Sequence, residues 1–305
     1  MPEIAPVKLA VKVDVDTRLG ALEGLPRLRR ILGRRDLQAS FFLSLGPDNS
    51  GRAVLRLFTR PGFFSKMLRT RALKAYGLRT LLYGTLLPAP LIGAGQAEVV
   101  RGLIKDGHEV GLHAWDHVKW HDHLWRMTAD QVRGEVSRGI NAFIETAGGP
   151  PRSFAAPAWR INGPAAAALV EAGLVYMSST RGTEPCRPVI DGREYPILEI
   201  PTTLPTSDEV LGREGRRPGD LADYFFKKIS RPGLHVFTIH AEMEGRGLAG
   251  VFEEILDLCL ARQVVFVRLM DVAQQLLGRR EQVPAKEIIR AKLPGRAGLV
   301  SCQAP

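Results

Sequence analysis

Short apolar stretches alternate with amphipathic ones from residue 7 to residue 277, and this alternation limits the fold more than any other feature of the sequence. Residues 7–13 (Val-Lys-Leu-Ala-Val-Lys-Val) have the periodicity and β-branched content of a strand. Residues 20–35 place Leu22, Leu25, Leu28 and Leu32 on one helical stripe, and residues 38–45 read as a buried strand. Strand, helix, strand begins a parallel arrangement, because parallel neighbours need a crossover. Further helices are predicted over 96–105, 128–146, 163–172, 220–229, 251–261 and 270–277, with strands over 109–112, 153–156, 174–178, 198–200, 235–239 and 264–267. The expected fold is α/β, a distorted (β/α) barrel made irregular by repeats of uneven length.

Such barrels carry their chemistry at the C-terminal ends of the strands. Asp14 and Asp16, in Val13-Asp-Val-Asp-Thr17, close the first strand and point to the same side. The strand over 109–112 runs into His113-Ala-Trp-Asp-His117, whose two imidazoles reach one point if the stretch is helical or tightly turned. One carboxylate and two histidines would hold a divalent metal and leave positions open for water and substrate, while the other aspartate is free to act as a base. Alone, a His-x-x-x-His is commonplace and an Asp-x-Asp is often turn chemistry. Their conjunction, each after a short apolar strand, carries the inference. His121 and His123 belong to the same His-rich stretch and read as solvated or supporting residues.

The 305 residues, 45% hydrophobic and 24% charged, suffice for one large domain over 1–305, with an insertion at about 50–95 and a tail at about 279–305. Cys186, Cys259 and Cys302 are an odd set without a Cys-x-x-Cys, which fits a reduced compartment. The residues before the first strand leave no room for the apolar core of a signal peptide, so a cytoplasmic location is expected. The weakly polar run over 81–95 is interrupted by Pro88, Pro90 and Gly93 and is shorter than the about 20 residues a bilayer span requires.

The net charge of +10 points to an anionic partner. No acidic residue lies between Asp48 and Glu98, while basic residues are spread through that interval. Phe63, Phe64, Met67 and Leu68 recur there at near-helical spacing, with Lys66, Arg69, Arg71 and Lys74 among them. The pattern is that of a basic amphipathic helix lying peripherally on an anionic membrane surface. A core-packed helix with a solvated basic face is the plainer alternative. A nucleic-acid patch ranks last, since no recognisable nucleic-acid module is present.

These motifs resemble the polysaccharide deacetylase superfamily, metal-dependent N-deacetylases with a distorted β/α barrel, from residue 7 to about residue 277. The resemblance implies Asp14 as catalytic base and Asp16, His113 and His117 as ligands of one divalent ion, with Zn, Mn, Co and Ni all open. Ala156-Pro-Ala-Trp-Arg160 is similar to the family's arginine motif, implying Arg160 beside the base and Trp159 as a pocket wall, and Phe237-Thr-Ile-His240 implies His240 as general acid. For the last two, an ordinary core aromatic and a structural histidine are the plain alternatives. Where the family usually has an aspartate that tunes the acid, this sequence has Ser179, so Glu242, Glu244 or Asp271 would have to substitute.

Five further segments, beginning at Phe41, Gly111, Ile200, Thr238 and Ala297, resemble a deformylase branch that acts on undecaprenyl-phosphate formamido-arabinose in the lipid A modification conferring polymyxin resistance. That resemblance implies a polyprenyl-phosphate-linked amino sugar as substrate and hydrolysis of its formamide to amine and formate. Two other readings stand beside it. One is an N-deacetylase of peptidoglycan or chitin-like sugars, disfavoured by the missing signal peptide; the other is a catalytically dead membrane-surface binding protein that keeps the barrel.

Overall fold

The computed structural model describes residues 6–55, 77 and 79–305. The proposed membrane-facing residues Phe63, Phe64, Lys66, Met67, Leu68, Arg69, Arg71 and Lys74 lie outside the described residues.

The organising element is β1 (Val7–Val15), in which Leu9, Ala10, Val11, Val13 and Val15 are all wholly buried. Its buried apolar residues fall on both faces, as in a strand covered on both sides. It is followed by β2 (Ser40–Leu43), β3 (Glu109–Leu112), β4 (Ser153–Phe154), β5 (Tyr176–Met177), β6 (Arg187–Ile190), β7 (Arg193–Glu194), β8 (Leu198–Glu199), β9 (Gly233–His240) and β10 (Val265–Phe266). The parallel sheet runs β10-β1-β2-β3-β4-β5-β8, and β9 also pairs with β1. The β1–β9 register extends from Val7↔Gly233 to Asp14↔His240. Between β8 and β9 the wall is bridged by the Thr203 and Leu204 N–H groups, which donate to the Val236 carbonyl. The expected distorted barrel is therefore present, with its parallel strands and surrounding helices.

Those helices are α1 (Leu25–Gly33), α2 (Ala97–Lys105), α3 (His117–His123), α4 (Ala129–Ala147), α5 (Gly163–Glu171), α6 (Ser207–Val210), α7 (Leu221–Ile229), α8 (Ala249–Ala261) and α9 (Leu269–Leu277). Their ends follow local chemistry. Thr128 and Gln131 form a capping box before α4, and the Asn162 side chain accepts from the Ala165 N–H to start α5. The helix expected over 20–35 instead opens with a π-turn at Gly20–Gly24. That turn packs on the backbone after β9, where a Cβ at Gly24 would run into the Ala241 carbonyl.

The chain past residue 279 is not a simple tail. β11 (Ala285–Lys292) pairs antiparallel with β12 (Leu299–Gln303), and β11 joins β6 and β7 in a second sheet. Val300 and Cys302 of β12 pack on Trp159, which brings the C-terminal hairpin beside the ends of the barrel strands.

Candidate metal centre

The side chains expected to act stand at the C-terminal edges of adjacent strands. Lys12 and Asp14 alternate along β1 and share a face, Asp16 follows the strand, and Asp14 lies opposite His240 of β9. At the end of β3 the His113 N–H donates to the Leu43 carbonyl (2.8 Å), and the His113 carbonyl accepts from Ser44 Oγ (2.8 Å). Ala114 then turns the chain with φ +60°, and His117 is the first residue of α3. The Asp116 carboxylate caps that helix by accepting from the Lys119 N–H (2.9 Å), and Asn49 Nδ2 donates to it (2.7 Å). The two imidazoles thus converge from a strand end, a left-handed turn and a helix start.

Asp16 bridges them. Its Oδ1 lies 3.2 Å from His113 Nε2 and its Oδ2 3.3 Å from His117 Nε2, and the three donor atoms fall within 4.8 Å of one another. Metal–ligand bonds of about 2.0–2.2 Å suit donors spaced this way. Asp16 Oδ1 and His113 Nδ1 are buried without a hydrogen-bond partner, so the cradle holds an acceptor that a cation would satisfy. Burial opposes ionisation of Asp16, but His117 and His113 hold its carboxyl well below the ordinary value. The residues fit a divalent ion with N and O donors.

The side chain found beside Asp14, Lys12, was missed in the sequence. Lys12 is wholly buried, with Nζ 3.4 Å from Asp14 Oδ2 and donating to the Ser178 carbonyl (3.0 Å). Burial pulls its ammonium below the ordinary value, opposed by Asp14. A lysine at an alternate position in a strand buried on both faces was the available signal, since such a cation needs a carboxylate. Arg160 donates from its guanidinium to the His121 carbonyl, while its own carbonyl accepts from Trp120 Nε1 (2.9 Å). Both bonds tie it to α3, the helix that begins with His117. The His121 ring lies 6.2 Å from the His117 ring, edge on.

Trp159 is only 2% exposed and donates from Nε1 to Thr202 Oγ1 (2.8 Å). Its ring is faced by Arg296 at 4.2 Å, Arg181 at 5.0 Å and Lys12 at 5.6 Å. Ala158 and Trp159 both have positive φ, +53° and +51°, a costly pair for non-glycine residues that the surrounding packing must hold.

His240 ends β9, and its N–H donates to Glu244 Oε2 (2.8 Å). Burial pushes the Glu244 carboxyl up, and the neighbouring His240 draws it back. Ser179 is buried and its Oγ accepts from the Ala156 N–H (3.1 Å), while its own N–H donates to Glu199. Of the candidate substitutes, Glu244 is the one bonded to His240. Glu242 is buried near Asp16, with burial first and then that charge raising its carboxyl, and Asp271 is paired with Arg268 at 2.6 Å.

A parallel α/β barrel whose strand ends gather an Asp/His/His donor set next to a second buried carboxylate defines a metal-dependent hydrolase. The polysaccharide deacetylase family matches residues 20–177. The chain belongs to that family. It is 36% identical to a Shewanella sediminis protein named a probable 4-deoxy-4-formamido-L-arabinose-phosphoundecaprenol deformylase, ArnD, covering 97% of this chain and 95% of the relative. A Wigglesworthia glossinidia brevipalpis protein of the same name is 33% identical over 93% of this chain and 98% of its own length. In fold, the chain is similar to a crystal structure from Mycobacterium smegmatis assigned to the polysaccharide deacetylases, with TM-score 0.63 and 20% identity over 96% of this chain and 97% of that one.

Proposed function

We propose that this chain hydrolyses the formamide of undecaprenyl-phosphate 4-deoxy-4-formamido-L-arabinose, releasing formate and the free amine, within the lipid A modification that confers polymyxin resistance. The observation that carries the reading is the Asp16/His113/His117 donor set beside Asp14, in a chain alike over nearly its whole length to proteins named for that reaction. A divalent ion held by Asp16, His113 and His117 would supply Lewis-acid polarisation of the formyl carbonyl and make a bound water easier to ionise.

The chain's own residues do the rest. Asp14 takes the proton of the attacking water, and Lys12, 3.4 Å away, holds that carboxylate in place. Arg160 fixes the helix that presents His117, in addition to the role beside the base that its motif implies. His240 gives a proton to the departing nitrogen, with Glu244 holding the backbone at the end of β9. Trp159 is a wall only at second hand, through the guanidinium groups stacked on it.

No helix among the described residues is long and apolar enough to cross a membrane. A lipid-phosphate substrate requires the enzyme to meet the bilayer surface, and the basic amphipathic residues Phe63, Phe64, Lys66, Met67, Leu68, Arg69, Arg71 and Lys74 support peripheral attachment to the cytoplasmic face of the inner membrane. The test is formate release from the lipid-linked formamido sugar in anionic vesicles, compared with acetate release from water-soluble acetylated chito-oligosaccharides.

A further inference from the structure

Arg181, which faces the Trp159 ring, also lines a cavity of about 230 Å³ together with Glu209, Arg213, Glu214, Arg216 and Tyr224, bordered by Leu293 and Pro294 before β12. It is smaller than the about 300–1,000 Å³ that holds a whole drug-sized ligand, and so suits one polar group of a larger molecule.

Of its two acids, Glu209 and Glu214, the buried one is already taken. Glu209 accepts from Arg181 Nη1 (2.7 Å) and from Arg296 Nε (2.6 Å), so one buried carboxylate faces two guanidinium groups. Burial would raise the Glu209 carboxyl, but Arg296 and Arg181 hold it below the ordinary value, as an anion. Arg181 keeps one donor in reserve, since its Nε is buried without a hydrogen-bond partner. Arg213 is half-buried and makes no ion pair among the described residues. Arg216 stacks 4.7 Å over the Tyr224 ring and, among the described residues, pairs with the exposed Glu214 (2.5 Å), a surface pair of small energetic weight. The cavity therefore offers guanidinium donors that the protein's own acids do not consume, the arrangement that recognises a phosphate.

The position is as informative as the charge. Arg181 and Lys12 face the same Trp159 ring, and Lys12 contacts Asp14, so a chain of contacts through Trp159 links the cavity's lining to the proposed base. Pro205, Glu209 and Val210 of the cavity wall come from the segment 200–212, to which the hydrolytic chemistry gives no task, and Leu293 and Pro294 come from the approach to β12.

We propose that the Arg181, Arg213 and Arg216 cavity seats the phosphodiester that links the amino sugar to its lipid, placing the formamide at the Asp14 side of Trp159. The proposal rests on the deformylase reading for the identity of the anion's carrier, and the same guanidinium chemistry would also accept free inorganic phosphate.

The experiment uses the full chain and two arms. In the binding arm, a short-chain prenyl methyl phosphodiester and inorganic phosphate are titrated separately into wild type, Arg213→Ala and Arg216→Ala by calorimetry. Saturable binding of the phosphodiester, weakened about tenfold in each variant with melting temperature and metal content retained, is the expected result. Phosphodiester binding unaffected by both substitutions would overturn the site, and inorganic phosphate binding as tightly as the phosphodiester would overturn the assignment to a lipid-linked anion. In the kinetic arm, the ratio of kcat/KM for the lipid-phosphate substrate to kcat/KM for a phosphate-free methyl formamido-arabinoside is compared between wild type and Arg213→Ala. The ratio is expected to fall about tenfold. An unchanged ratio, which a purely structural arginine would give, overturns the proposal. The binding arm needs no turnover, so failure of the deformylase reading and failure of the anion site are read separately.

Discussion

Replacing Lys12 with methionine removes one charge from the core while keeping most of the unbranched stem, and the structure sets the size of the consequence. Lys12 and Asp14 are 0% and 4% exposed, and their charged atoms are 3.4 Å apart. At an effective dielectric of about 20, a pair at that separation is worth about 5 kcal/mol. Part of this is returned because the ammonium no longer has to be desolvated, as the lowered pKa of Lys12 indicates. Loss of a charge-assisted contact of this kind costs about 1.5–3 kcal/mol, which corresponds to about a ten- to hundredfold loss in kcat/KM if Asp14 is the base that Lys12 holds in place. The assay is formate release on the lipid substrate, with metal content and melting temperature measured on the same preparation. Lys12→Arg should retain a substantial part of the activity. If Lys12→Met keeps wild-type kcat/KM while Arg160→Met loses it, the charge that matters to Asp14 comes from Arg160 and the assignment of Lys12 is wrong.

Four other outcomes follow from the same geometry. Asp16→Asn, or His113→Ala together with His117→Ala, should abolish stoichiometric binding of a divalent ion in elemental analysis, whereas Asp14→Asn should keep the ion and lose nearly all turnover; the reverse pattern would exchange the roles of the two aspartates. His240→Ala should lower kcat far more than it raises KM, and equal activity would mean that another group or water protonates the amine. Gly24→Ala should lower the melting temperature sharply because its methyl group meets the Ala241 carbonyl, and an unchanged melting curve would refute the close packing of the π-turn. His108 is buried, its Nδ1 accepts from the Ala39 N–H (3.2 Å), and burial depresses its pKa to about 4. The unfolded chain therefore takes up a proton on His108 before the folded one does, and up to about 3 kcal/mol of stability is lost as pH falls from about 6.5 toward 4. Urea midpoints should drop less over that range in His108→Gln than in wild type, and equal drops would place the acid sensitivity elsewhere.

Much of the barrel was legible because its signals are local. The apolar run of β1, the Thr128 capping box and the Asn162 cap each sit where the residue pattern puts them. The convergence of Asp16, His113 and His117 was legible as chemistry, but the spacing did not specify the left-handed turn at Ala114 that separates the two histidines between a strand end and a helix start. β11 and β12 escaped the reading because Ala-Lys-Glu-Ile-Ile-Arg-Ala-Lys is mostly exposed and gains its order from pairing with distant β6 and from packing on Trp159. Lys12 escaped for the opposite reason: its alternation with apolar neighbours looks like a solvated strand face, and only the burial of both faces turns it into a partner for Asp14. The amphipathic segment around Phe63 to Lys74 stays a reading of the sequence.

The most direct measurement is the rate of formate release from undecaprenyl-phosphate 4-deoxy-4-formamido-L-arabinose in anionic vesicles, set against acetate release from soluble acetylated chito-oligosaccharides under the same conditions. The account predicts metal-dependent turnover of the lipid-linked formamide and little of the acetylated sugars. Faster hydrolysis of the soluble acetylated sugars, or no formate from the lipid substrate with the metal site filled, would contradict it.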